Sequence, residues 1–291
     1  MNHLTAKNAK NATDQSTTGT LNFTVRQDEK PYFLSSAMTG GEAEVHFKTE
    51  LLPVTIQDMR SIVTDIDREG FELFRSPSQI KDFYDSGVVD TDYNAEVTEL
   101  LKDRFGASEV YIFDHTRRSD GGAGAVNPDG RRGPAVRVHC DYTDASGPQR
   151  AKDAIGVAEY ESTLARGGRI IQVNVWRPIS DMPVQRSPLA LATANSVPKE
   201  DLLATDQHFP DRIGEIYQLA HGEGHQWYYA PLMNRDEVIL IKGWDTLEDG
   251  RSRYTPHGAF QLPNQDESAP PRESIETRTF VAIEADGPLD V

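Results

Sequence analysis

The chain has 291 residues, 37% of them hydrophobic, with 17 prolines, a single cysteine and a net charge of −16. That length suits one large all-β or α/β domain, or two small ones, and one cysteine excludes an internal disulfide framework and fits a reducing, cytoplasmic compartment. No apolar run approaches the roughly 20 residues that cross a bilayer, and the scattered acidic surface argues against nucleic acid and anionic membrane as partners.

Residues 1–18 are polar and lack the apolar core of a secretory signal, so a mobile tail is expected there. A single domain is expected over 19–284, followed by a short tail over 285–291. Leu21–Val25 and Glu42–Phe47 alternate apolar and polar residues and predict a hairpin or sheet edge, with a further strand over Leu52–Ile56. Met59, Ile62, Val63 and Ile66 fall at helical intervals. Glu69–Phe74 reads as a strand, and Gln79–Asp85 and Asp92–Phe105 read as helices. In the second helix Val97, Leu100, Leu101 and Phe105 form an apolar stripe of the kind that packs a core.

A strand over Ser108–Phe113 leads to a long segment, Arg117–Gly133, with five glycines and four arginines. Its Gly121–Gly124 run lacks the strand-to-helix context of a phosphate loop, and its length predicts a flexible flap. Pro134–Val138 alternates like a strand and runs into His139-Cys140-Asp141. A helix is predicted over Gln149–Ala165. The remainder reads as strands over Arg169–Trp176, Leu189–Ala192, Gly214–Leu219, Gln226–Tyr229, Glu237–Ile241 and Thr277–Ile283. The whole is mainly β with flanking helices, a sandwich or jelly roll.

On a strand, residues i and i+2 share a face, so His139 and Asp141 can meet one metal ion while Cys140 points away as a small buried hydrophobe. His257 follows 118 residues after His139, beyond an apolar strand and a turn. Two imidazoles and one carboxylate on one face of an octahedron leave three positions open, which suits Fe(II) oxygenases. His225 is a rival third ligand. Arg272 comes 15 residues after His257, and with Ser274 it offers a fork and a hydroxyl to a carboxylate such as the distal one of 2-oxoglutarate. Arg278 competes for that role, and a surface ion pair is the plainer reading of Arg272. Asn174 and Trp176 share a strand face and could reach cosubstrate or substrate. The aromatics Trp227, Tyr228 and Tyr229 either line one wall of a pocket or fill the core. Asp114-His115 reads as a loop anchor, and His3, His46, His208 and His221 have no partner pattern.

The strings Val138–Thr143, Gln172–Pro178, Ser187–Leu191, Asp236–Lys242, Thr255–Phe260 and Ala269–Ile275, in that order, resemble the fungal hydroxylase/desaturase family related to the cephamycin methoxylation protein CmcJ. The resemblance spans about residues 20–284. It implies a double-stranded β-helix, a cupin-like jelly roll, and an enzyme of secondary metabolism that uses Fe(II), 2-oxoglutarate and O2. Carried over by motif, His139, Asp141 and His257 would be the iron ligands and Arg272 with Ser274 would hold the distal carboxylate of 2-oxoglutarate. The implied substrate is an apolar small molecule, with a meroterpenoid skeleton favoured, and hydroxylation, desaturation and endoperoxide formation are all open. A homodimer is compatible with this reading. Two others stand beside it, a non-redox metal-dependent isomerase on the same fold and a non-catalytic partner protein.

Overall fold

Two β-sheets face each other in the computed structural model, which describes residues 16–40 and 43–285. The smaller has five strands in the order Phe71–Arg75, Glu237–Asp245, Arg169–Pro178, Glu273–Ile283, Glu109–Ser119. The larger has ten, in the order Thr17–Thr24, Thr49–Asp58, Trp227–Tyr229, Leu189–Ala192, His257–Ala259, His139–Cys140, Ile213–Leu219, Leu202–His208, Tyr32–Leu34, Glu44–Val45. The larger sheet curls: bridges Thr20↔Gln261 and Asn22↔Arg137 bring its first strand back onto the segments that flank the two candidate histidines. The result is the mainly β jelly roll expected. Among the described residues no helix is long and apolar enough to cross a membrane.

The strand Arg169–Pro178 shows how the sequence fills the space between layers. Its alternate residues Ile171, Val173 and Val175 face outward, into a core shared with Val97 and Leu101 of the helix Asn94–Phe105. Each such side chain, fully removed from water, contributes about 1.5–3 kcal/mol. The other face turns inward and reads Ile170, Gln172, Asn174, Trp176. Ile170 packs with Tyr142, Trp244 and Phe280 beneath the helices Ser146–Ile155 and Val157–Ala165. Trp176 packs with Met59, Phe71, Leu191, Tyr228 and Ile241. Two buried amides therefore occupy the middle of an inward face that is apolar at both ends.

Beside these layers, Lys242 and Asp245, both fully buried, pair at 2.5 Å. Asp67 joins them, 2.7 Å from Lys242 and 2.8 Å from Arg251, and Arg169 bridges Asp67 to Asp245. A buried lysine is tolerable because two carboxylates surround it.

Several local expectations change. The first strand begins at Thr17, inside the expected tail, and pairs with Thr49–Asp58; Glu44–Val45 pairs instead with Tyr32–Leu34. Glu42, the expected start of that second strand, lies outside the described residues. Met59–Ser61 is a single 3-10 turn. No helix forms over 79–85; the helical run starts at Ser86 and passes through one π turn, Val89–Tyr93, before the regular helix. The helix over 149–165 is broken at Gly156, whose φ of +93° ends one helix and starts the next. Pro134–Val138 forms no strand, because its alternation meets only one bridge, at Arg137. The expected flap is partly ordered: its start continues the edge strand to Ser119, and a hairpin pairs Ala125–Asn127 with Gly130–Arg132. The buried Asn127 side chain pins that hairpin, accepting from Arg117 N at 2.8 Å and donating to Arg117 O at 2.9 Å.

Candidate active site

His139 and His257 become direct register partners in the ten-stranded sheet, their rings 4.6 Å apart and inclined at 49°. One local device orients both. Nδ1 of His139 lies 2.9 Å from the Arg137 carbonyl oxygen, and Nδ1 of His257 lies 2.9 Å from that of Thr255. A carbonyl can only accept, so Nδ1 carries the proton in each ring and Nε2 is left with its lone pair. Thr255 is itself anchored, its hydroxyl donating to Gly70 O at 2.7 Å. An added Cβ at Gly70 would lie 2.3 Å from that hydroxyl, so only glycine permits the contact.

Asp141 shares the side of the strand with His139, while Cys140 between them is buried on the other side. Oδ1 of Asp141 lies 3.6 Å from His139 Nε2, and one ligand atom from each of His139, Asp141 and His257 lies within 4.8 Å of the others. Burial opposes the charge on Asp141, but the nearby Arg278 guanidinium and the two imidazoles hold its carboxyl well below the usual range. Burial, with His139 alongside, pushes the His257 imidazole down toward its neutral form. With both Nδ1 atoms turned to carbonyls, two Nε2 atoms and an anionic oxygen converge, a donor set that fits a divalent metal ion. His225 stays outside this group: its Nε2 lies 2.8 Å from Asp201, and its ring packs edge-on to Trp227.

The two candidate arginines differ in what their guanidinium groups already touch. Arg278 is engaged on every side, with Nη1 2.6 Å from Asp114, Nη2 2.6 Å from Glu276 and Nε 4.0 Å from Asp141. Arg272 is 2% exposed and donates from Nη1 to Ser187 O at 2.9 Å. Its Nε and Nη2 are buried with no partner. These two atoms form the edge of a guanidinium that grips a carboxylate with parallel hydrogen bonds. Burial, with the Arg118 cation nearby, pushes the Arg272 pKa down to about 10. A buried cation lacking partners is costly, and a carboxylate at this edge relieves both deficits. Ser274, also buried, follows Arg272 on the same strand face, directly opposite Arg118 in register. Asp120 braces the group, accepting from Arg272 N, Arg186 Nε and the Ser187 hydroxyl, each at 2.8 Å.

Other sequence candidates take structural places. Asn174 does reach the site, but both ends of its amide are engaged within the protein: Nδ2 donates to Asp141 Oδ2 at 2.5 Å, and Oδ1 accepts from Gln172 Nε2 at 2.6 Å. It contacts the candidate ligand Asp141, with Gln172 behind it. Trp227 and Tyr229 pack in one core and Tyr228 in another. Trp176 lies under Arg272, 5.9 Å from the guanidinium to the ring centre. His115 ties the sheet to the helix Asn94–Phe105, its nitrogens 2.9 Å from Thr277 Oγ1 and 2.9 Å from Asn94 Oδ1. His46 and His208 pack against Tyr32, and His221 against Phe23. Sequence reasoning missed Arg118, absorbed into the expected flap, and Gln172. The available signal for Gln172 was a polar residue two places from another, inside an otherwise apolar strand.

Known proteins agree with this geometry. A family described as an oxidoreductase/YMDC permease-like domain matches residues 21–282. The alpha-ketoglutarate-dependent dioxygenase phiK of a fungal species is 36% identical over 241 residues, covering 80% of this chain and 85% of phiK. The hydroxylase/desaturase efuI of Hormonema carpetanum is 33% identical over 274 residues, covering 85% of this chain and 89% of its own. Among solved structures, the iron and alpha-ketoglutarate-dependent endoperoxidase NvfI superposes with a TM-score of 0.80 at 26% identity, over 93% of this chain and 99% of that one. The curated NvfI sequence, from Aspergillus novofumigatus, is 30% identical over 225 residues, 75% of this chain and 77% of its own. Similarity of this extent, centred on a fold that brings two histidines and an aspartate together, means that the chain belongs to the fungal family of Fe(II)- and 2-oxoglutarate-dependent dioxygenases that includes these hydroxylases and desaturases.

Proposed function

We propose that His139, Asp141 and His257 hold Fe(II), that Arg272 with Ser274 holds the distal carboxylate of 2-oxoglutarate, and that the enzyme takes hydrogen from an unactivated carbon of an apolar, multi-ring natural product of meroterpenoid type. The observation that carries the reading is the pair of unpartnered, buried donors on Arg272, found in the same barrel as three converging ligand atoms. When bound, the iron and its cosubstrate supply the oxidising chemistry, in which O2 is reduced as 2-oxoglutarate becomes succinate and carbon dioxide.

The chain's own residues do the positioning. The Arg137 and Thr255 carbonyls fix the two imidazoles as Nε2 ligands. Arg272 orients a dianion by its far end, which leaves the near end to face the ligand group. Ile239, Ile241, Leu189 and Leu191 keep water from one side of the barrel interior. Gly121, just ahead of the hairpin Ala125–Arg132, packs close against Pro271, the neighbour of Arg272. Endoperoxidase NvfI supports an outcome beyond simple hydroxylation within this family. A non-catalytic partner protein would have no use for the converging ligands.

Release of succinate from 2-oxoglutarate in the presence of Fe(II) and O2 tests the reading. Stoichiometric succinate is expected, and its absence from the wild-type protein under conditions where iron binds would defeat it.

A further inference from the structure

We infer that Gln172 and Asn174 form a directional two-amide relay that decides which oxygen of Asp141 faces the metal, with Gly243 making the space for it. This rests on the assignment of Asp141 as a ligand and goes beyond it, because it makes Gln172, which is set back from the metal by two side chains, a positioning residue.

The direction of the relay follows from hydrogen-bond chemistry. A carboxylate only accepts, so the Asn174 end facing Asp141 Oδ2 must be Nδ2. Asn174 Oδ1 must then face Gln172, and only Nε2 of Gln172 can donate to it, at 2.6 Å. Oδ2 of Asp141 is thereby occupied, and Oδ1 is the oxygen left on the His139 side. The relay ends in a mismatch: Oε1 of Gln172 is buried with no donor. Flipping the Gln172 amide would not repair this, since it would set two carbonyl oxygens against each other at Asn174. An orphaned buried acceptor is destabilising, a cost that the fold accepts to keep the relay pointing one way.

The backbone makes room for the orphan. Gln172 pairs with Trp244 and Val173 with Lys242, so Gly243 is the extra residue of a β-bulge opposite Gln172. A Cβ at Gly243 would lie 1.9 Å from Gln172 Oε1 and 3.4 Å from the Tyr142 ring. Bulges beside active sites re-aim side chains, and a glycine within a strand marks close approach. Gln172, Asn174 and Gly243 thus form one unit behind Asp141.

The test is a Co(II) titration of the metal-free protein, followed by calorimetry and by the visible spectrum of the bound ion. Wild type should bind one Co(II), and His139→Ala should not. Gln172→Met keeps the length and removes the hydrogen bond; Gln172→Glu keeps the shape and cannot donate when ionised; Gly243→Ala pushes on Gln172 and touches no ligand. Each should weaken Co(II) roughly 10- to 100-fold, the usual effect of losing a group that orients a ligand. Gln172→Glu should be at least as weak as Gln172→Met and should alter the spectrum, while the metal-free melting temperature of Gln172→Met stays near wild type. Wild-type affinity and spectrum in both Gln172 variants would overturn the relay while leaving the ligand assignment standing. Failure of wild type to bind Co(II), or binding by His139→Ala equal to wild type, would overturn that assignment and the relay with it.

Discussion

The ten-stranded sheet brings two of its ligands in on strands of two and three residues, His139–Cys140 and His257–Ala259, whereas the five-stranded sheet presents its polar groups from strands of ten and eleven, Arg169–Pro178 and Glu273–Ile283. On the short strands the geometry comes from single backbone contacts, a carbonyl behind each imidazole. On the long strands it comes from repetition, since every second residue faces inward and the set Arg272, Ser274, Glu276, Arg278 lies in a row. The same contrast recurs between two arginines of that row. Arg278 is fully engaged by acidic groups and lies near the metal ligands, and Arg272 keeps an open edge further along. Metal holding and cosubstrate holding should therefore separate under mutation.

The largest effects should fall on the short strands. His139→Ala, Asp141→Ala and His257→Ala should each abolish iron binding and turnover while circular dichroism shows an intact fold. His225→Ala should leave iron binding untouched, and a loss of iron there with retention in His257→Ala would break the assignment. Next in size is a stability effect. Lys242→Met leaves the buried Asp245 with Arg169 as its remaining cation and should lower the unfolding free energy by roughly 3 kcal/mol, measured by denaturant melts.

Arg272→Ala removes the open edge and should raise the 2-oxoglutarate requirement about 30-fold or more, for roughly 2–4 kcal/mol of charge-assisted contact, with iron affinity little changed. Arg278→Ala should show the reverse, weakening iron more than 2-oxoglutarate, since it removes the cation beside Asp141. Identical profiles for the two variants would erase the distinction between them. The smallest effect is expected at Cys140. Replacing it with Ala should cost about 1 kcal/mol of stability and leave Co(II) affinity unchanged, confirming that alternate residues of one short strand serve core and metal separately.

Much of this plan is legible in the residues. Alternation revealed most of the long strands, because a strand buried on one or both faces leaves a period-2 or continuous apolar record. It failed over 134–138, where the backbone makes single hydrogen bonds to Ala259, Leu219 and Asn22 in place of a continuous ladder. It also missed Leu202–His208 and Tyr32–Leu34, strands whose mixed composition carries little periodic signal. The helix expected over 79–85 is absent because the side chains of Ser78, Glu96 and Asp82 hold the backbone in turns there.

For the site, the sequence alone determined the cast. The i, i+2 spacing of His139 and Asp141 places them on one side of any strand, and the order of His257 and Arg272 matches a familiar pattern. Only the tertiary structure decided the roles. Whether Arg272 or Arg278 is free depends on which carboxylates crowd each guanidinium, and those come from Asp114 and Glu276, on two different strands. Which groups Asn174 meets depends on where the fold sets Asp141 and Gln172, whose side chains engage its amide. Hydrogen-bond saturation is a property of neighbours in space, and no local pattern along the chain records it.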